Sequence, residues 1–344
     1  MATVVRPADL KSDRAAIVDA VLRFINPAAD AERYDWLYTR NPHGRARVWV
    51  ATDTGSDTIV GVASAFPRKV SVSGREQTAW VLGDFCVDPA HRALGPALQL
   101  QRAALTELAT DGATLLYDFP SQGMLAVYAR LRIETSTRMV RFAKPLRVDR
   151  QVREVVKGEW LARVTSRPLN VLLAASDAWR GSRSSLTVAA HENECGKEFS
   201  VLWEQNIPAD RVCIERSADY LNWRYLSHPL RRHRVVAARH EGVLRAYAVV
   251  AMDSAHPAIV DVFGSDEPDV LAILIRRTVA MLRERGASTV SVPLVDTHPL
   301  VATVKRLGFR SREAIPVVLY EPRRRDGEPA AAGRLFLMAG DRDS

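Results

Sequence analysis

The chain has 344 residues, 47% of them hydrophobic and 26% charged, with 48 lysines and arginines against 40 aspartates and glutamates. That length suits two domains of roughly 150 residues each, and the composition excludes a chain disordered throughout. Three cysteines, Cys86, Cys195 and Cys213, without any CxxC spacing exclude a disulfide framework and give no support to a metal site.

The formal net charge of +8 comes almost wholly from arginine, since lysine supplies only six of the 48 positive charges. The tightest clusters, Arg231-Arg232-His233-Arg234 and Arg323-Arg324-Arg325, read as solvated loop or tail. No interleaved aromatics, helix-turn-helix pattern or zinc finger accompanies them, so no nucleic-acid partner is expected. Apolar runs stop well short of the roughly 18 residues a membrane span needs. Charges at Arg6, Asp9, Lys11, Asp13, Arg14 and Asp19 break up any signal-peptide core, so a cytoplasmic protein is expected.

In chain order, Trp36-Leu-Tyr38-Thr-Arg-Asn41-Pro42 is the first informative segment, because it recurs 187 residues later as Trp223-Arg-Tyr225-Leu-Ser-His228-Pro229. Each copy runs into a β-type segment, a polar turn and a second β-type segment: Val48–Ala51 with Thr58–Phe66, then Val235–Ala238 with Val243–Met252. A helix-like stretch (Ala97–Thr110; Asp269–Arg285) and a short apolar strand (Thr114–Phe119; Thr289–Pro293) follow in both. In the second, Leu271, Leu274, Ile275, Thr278 and Leu282 fall on one helical face. Tyr128-Ala-Arg-Leu-Arg132-Ile133 then lines up with Val304-Lys-Arg-Leu-Gly308-Phe309. The pattern predicts an α/β fold, a mixed sheet flanked by helices, twice over. The expected boundaries are 1–146 and 186–344, joined by a helical connector over 147–185. Pro322–Gly333 reads as loop and Arg334–Ala339 as a last strand. Trp36, Trp223, Tyr38 and Tyr225 read as core packing of an early helix onto the hairpin, with sugar stacking by one tryptophan as the alternative.

The chemistry concentrates in Asp84-Phe-Cys86-Val87-Asp-Pro89-Ala-His-Arg92-Ala93-Leu94-Gly95-Pro96-Ala97. A strand ends near Val87, a turn follows, and a helix starts near Pro96, a residue suited to a first helical turn. Such a turn aims backbone N–H groups and the positive helix end at one point, which binds phosphate. Arg92 adds a permanent charge at the rim.

The run Val87-x-Pro89-x-x-Arg92-x-x-Gly95-x-Ala97 resembles the acyl-CoA pyrophosphate loop of the GCN5-related N-acetyltransferase (GNAT) family. Tyr128-x-x-Leu-x-Ile133 is similar to that family's Y-x-x-L-G-F segment. The resemblance covers about 30–145 well and about 215–321 more weakly, so it implies two tandem acyl-CoA N-acyltransferase-like domains. It implies an N-acetyltransferase that moves an acetyl or longer acyl group from CoA to an amine of a small molecule or amino sugar by direct attack. Cofactor contacts are then expected from Cys86, Val87, Arg92, Ala93, Leu94, Gly95, Pro96, Ala97 and Ser121, with acetyl-CoA as donor substrate and no metal. Tyr128 is the expected acid for the leaving thiolate and Asp84 the expected base, with Asp118 the second candidate for base. Cys86 reads as a small buried residue rather than a nucleophile.

Three departures bear on cofactor affinity: Pro96 lacks an N–H, Arg132 stands where glycine is usual, and Ser121 replaces a frequent asparagine. The second copy carries Gly264-Ser-Asp266-Glu267-Pro-Asp269 in place of the loop and Val304 in place of Tyr128, so it is expected neither to bind CoA nor to catalyse. The alternative reading is an inactive tandem CoA-binding or scaffolding protein.

Overall fold

A computed structural model of the chain describes residues 3–91, 94–147, 185–252, 256–267, 269–324 and 330–342. Apart from its end residues, the expected connector over 147–185 lies outside the described residues.

The first half runs β1 (Thr3–Pro7), α1 (Arg14–Phe24), α2 (Ala31–Tyr34), a π-helical turn (Asp35–Thr39), β2 (Arg47–Asp53), β3 (Ile59–Val72) and β4 (Arg75–Val87). It continues through α3 (Leu94–Thr110), β5 (Leu115–Asp118), α4 (Gln122–Arg130) and β6 (Thr135–Pro145). The order then recurs. β7 (Thr187–His191), α5 (Lys197–Gln205), β8 (Val212–Ile214), α6 (Ala218–Leu221) and a second π-helical turn (Asn222–Leu226) lead to β9 (His233–His240) and β10 (Val243–Ala251). β11 (Ala258–Gly264), α7 (Val270–Glu284), β12 (Thr289–Val295), α8 (Leu300–Arg306), β13 (Arg310–Tyr320) and a short β14 (Leu335–Phe336) complete the chain. Among the described strands, β8 and β14 have no counterpart in the first half. The expected last strand shortens to β14 between two single turns of 3-10 helix, at Ala331–Arg334 and Ala339–Asp341.

Local chemistry explains the elements. Ser73 and Gly74, both at positive φ, form a two-residue turn between the paired Val72 and Arg75, the geometry that matches the twist of a hairpin. On α7 the expected stripe is buried at Leu274, Ile275, Thr278 and Leu282, whereas Leu271 is only partly buried and Val270 beside it is buried instead.

All the strands lie in one sheet, whose main path is β1-β2-β3-β4-β5-β13-β6-β12-β11-β10-β9-β7. The two halves exchange their last long strands. β13 pairs antiparallel with β5 of the first half, while β6 pairs antiparallel with β12 of the second. β13 and β6 also pair with each other, so the sheet crosses the seam unbroken. The largest apolar cluster likewise draws on both halves, from Tyr38, Phe66 and Tyr117 to Trp203, Tyr225 and Phe336. Trp36 and Trp223 are buried in it, and they stack on one another rather than fastening each half's helix to its own hairpin.

Candidate active site

β4 and β5 are parallel neighbours only over Ala79–Val81 and Leu115–Tyr117. β4 then continues from Leu82 to Val87 without a partner in β5, so the strands splay at their carboxyl ends. A cleft outside the carboxyl ends of parallel strands is where open α/β sheets bind ligands. On its other edge β4 pairs with β3, and there Asp84 and Phe85 together face the single residue Ala63. This is a β-bulge, with Asp84 at φ 42. A bulge interrupts the ladder and re-aims the neighbouring groups, here towards the splay.

After β4 a 3-10 turn (Pro89–His91) leads into α3, whose first residues are Leu94, Gly95, Pro96 and Ala97. Arg92 and Ala93, expected at the phosphate loop, lie outside the described residues. A Cβ built on Gly95 meets no heavy atom within 4 Å. The protein leaves open space at this helix start, as a pyrophosphate on the helix amino end requires. Pro96 lies in the first turn and removes one of its donors. The residues present therefore fit a bound acyl-CoA, with one N–H fewer than an uninterrupted turn would offer.

Tyr128 on α4 reaches the same place from the opposite side of the splay. It packs in a small cluster with Met124, Val127 and Val318, against Phe85 from the bulge and Ala97 from the first turn of α3. The expected loop and tyrosine thus meet in space. The Tyr128 hydroxyl donates to Asp118 Oδ2 at 2.7 Å, and Gln101 Nε2 donates to the hydroxyl at 3.2 Å. Burial, and then the adjacent Asp118 carboxylate, push this phenol well above its usual range. Tyr128 therefore stays protonated at neutral pH.

Three other expected residues have structural work to do. Asp84 is buried, takes a two-point ion pair from Arg33 at 2.8 and 2.9 Å, and accepts the Tyr38 hydroxyl at 2.8 Å. Its carboxylate faces α2 and the π-helical turn rather than Tyr128. Ser121 caps α4, its Oγ accepting the Met124 N–H. Cys86 is buried beside the Ala20 carbonyl, and burial pushes its thiol up to about 12, which removes it as a nucleophile. Sequence spacing gave no sign of Gln101 as a partner of Tyr128, because nothing local marks which face of α3 meets α4.

Residues 11–131 match the family model for the Acetyltransferase (GNAT) domain, a span that contains the splay, the loop and Tyr128. The N-terminal half of the chain carries a GNAT acetyltransferase domain. The GNAT-type fold extends further in solved structures. A conserved protein of unknown function from Enterococcus faecalis, described as a probable N-acyltransferase, shares 13% identity at a TM-score of 0.68, over 94% of this chain and 73% of that one. A GCN5-related N-acetyltransferase from Anabaena variabilis shares 12% at 0.67, over 93% and 73%. One from Kribbella flavida shares 14% at 0.58, over 92% and 71%. At such identities the likeness is one of fold. No curated protein sequence matches the chain. Among the described residues no helix is long and apolar enough to cross a membrane, and no group of three metal-ligating side chains converges.

The corresponding place in the second half differs from that in the first. β11 and β12 pair in parallel only at Ala258 and Ser291, and α7 follows a loop in which Asp269 is left-handed. Where Tyr128 stands on α4, α8 carries the fully buried Val304. The chain's own Leu335–Asp341 segment enters between β11 and β12. Val295 N donates to Leu337 O at 3.1 Å, and Met338 bridges to Leu294. Arg216, fully buried, ties Asp341 to Asp261 on β11. Asp261 also accepts the hydroxyls of Tyr225 and Tyr247. The same segment reaches back to the first half, where Tyr117 on β5 donates to the Asp341 carbonyl at 2.9 Å.

Proposed function

We propose that the chain is an acyltransferase with one active site, in the splay between β4 and β5, which moves an acyl group from CoA to a primary amine of a small molecule or amino sugar. The observation that carries this reading is the meeting of Tyr128, the β4 bulge and the open first turn of α3 at one point. The backbone at the bulge, next to Cys86 and Val87, supplies N–H groups to the thioester carbonyl, whose oxygen gains charge as the amine attacks. The first turn of α3 around Gly95 and Ala97 holds the pyrophosphate, and Arg92, two residues before α3 in sequence, supplies a permanent charge.

Proton traffic is assigned to Tyr128 and Asp118. The carboxylate of Asp118 takes the proton released by the attacking amine. The phenol of Tyr128 gives its proton to the departing thiolate and recovers one from Asp118 through their 2.7 Å hydrogen bond. The balance is one proton from amine to thiol. Asp84 is assigned to position the bulge instead, because in the second half Asp261 holds the same kind of place with an arginine and tyrosines and no catalytic tyrosine beside it. The second half is read as a degenerate GNAT-like domain, its own cleft filled by Leu335–Asp341.

A thiol-release assay with acetyl-CoA and a panel of amines tests this. Tyr128→Phe and Asp118→Asn are expected to lower kcat by roughly 10²-fold or more with unchanged unfolding curves. Release of no thiol by wild type with any amine, together with tight acetyl-CoA binding, would favour an inactive CoA-binding protein. The complete burial of Tyr128 and the donor lost at Pro96 are the observations on that side.

A further inference from the structure

A second cavity lies away from the splay, behind α3 and the last turn of α4. It has a volume of 640 Å³ and is walled by Leu105, Leu131, Ile133, Leu319 and Tyr320. Arg102 on α3, Arg132 just after α4 and Arg324 beyond β13 also line it, with Glu134 and Glu321. Glu321 is committed, since both of its carboxylate oxygens accept the Ala331 N–H. None of the three guanidinium groups has an ion-pair partner among the described residues.

Arg132 supplies an independent observation. It stands two residues beyond the end of α4, just after the C-cap Leu131, in the left-handed conformation at φ 58, where a side chain is disfavoured and glycine is the usual occupant. The repeat provides an internal comparison. At the matching place after α8 the chain has Gly308, at φ 89. The same backbone turn is thus built twice, once with the residue that suits it and once with an arginine whose side chain lines the cavity. Local folding does not call for Arg132, and a ligand would.

We propose that this cavity is a binding site, separate from the acyl-CoA cleft, for a phosphate-bearing organic ligand of nucleotide size. The class follows from the walls. Three guanidinium groups present planar donor forks suited to phosphate, against one uncommitted carboxylate. The volume far exceeds a bare phosphate ion and sits within the range of small-molecule pockets. Its aliphatic floor and Tyr320 suit a flat apolar body joined to the phosphate. The wall is composite, α3 and α4 coming from the first half and Leu319, Tyr320 and Arg324 from the end of the second. The inference does not rest on the acyl-transfer reading.

Calorimetric titration of the full chain with adenosine 5′-monophosphate and with phenyl phosphate tests it, in the presence and absence of saturating acetyl-CoA. Wild type is expected to bind at least one of the two with acetyl-CoA present, and Arg102→Gln with Arg324→Gln is expected to weaken that binding at least tenfold. Arg132→Gly separates the site from a merely structural role: it relieves the left-handed backbone, so thermal stability is expected to rise while binding weakens. Binding of neither probe, binding unchanged by these substitutions, or displacement by acetyl-CoA would overturn the proposal.

Discussion

Trp36 and Trp223 stack with their ring centroids 4.9 Å apart and their planes 20° from parallel, and each indole N–H donates to the other's main-chain carbonyl, at 2.8 and 2.9 Å. The contact is self-complementary, as in a two-fold dimer interface, but it lies within one chain, between its two halves. Arg224 lies over the Trp36 ring and Arg68 over the Trp223 ring, extending the same exchange. Together with the exchanged β6 and β13, it ties the two halves through both core and sheet.

Replacing either tryptophan by alanine removes a buried ring and leaves the other's main-chain carbonyl without its donor. Each of Trp36→Ala and Trp223→Ala is expected to cost about 3–5 kcal/mol in denaturant unfolding. The double variant is expected to cost less than the sum, because the second removal finds its partner already lost. Strict additivity would mean that the pair does not couple the halves.

Asp84 and Arg33 are buried together, so Asp84→Asn leaves a guanidinium without its counter-charge. Asparagine tolerates the left-handed backbone at this position, so the effect isolates the ion pair. The expected loss is about 3–5 kcal/mol of unfolding free energy. A variant with wild-type stability but strongly reduced kcat would instead return Asp84 to the role of base.

Two histidines, His298 buried and His228 half-buried, give the stability a pH dependence. His298 is lowered to about 3 by burial and then by Arg216 and Arg211. His228 is lowered to about 2, again first by burial and then by Arg224. In the unfolded chain both titrate near about 6.5, so below that pH the unfolded state binds protons that the folded state refuses. Stability is therefore expected to fall as pH drops below about 6.5 and on towards 3, with a slope of up to about 1.4 kcal/mol per pH unit for each histidine. Urea unfolding at pH 7.5, 6 and 5 measures the slope. His298→Gln is expected to reduce it, and an unchanged slope would contradict the assignment.

Much of the first half was legible in the sequence because its signals are local. The hairpin of Val48–Ala51 with Thr58–Phe66 and the strand-turn-helix around Gly95 each depend on neighbours within a few residues. The meeting of loop and Tyr128 was legible through the spacing of a known motif. What stayed hidden is long-range. Nothing in Thr135–Pro145 or Arg310–Tyr320 states which strand each joins, since both β-patterns fit either partner. Likewise, place along the strand alone favours Asp84 as the base. Only the fold reveals that Arg33 takes Asp84 while Asp118 meets Tyr128. The tail from Leu335 to Asp341 reads as an ordinary apolar end until the second splay is seen around it.

The most direct test of the account is calorimetric titration of acetyl-CoA into wild type and into Gly95→Glu. Because a Cβ at Gly95 meets open space, this variant is expected to fold normally while placing bulk and negative charge at the start of α3. The account predicts micromolar binding to wild type and none to the variant. Absence of binding to wild type, or equal binding to both, would contradict a CoA site in the splay between β4 and β5.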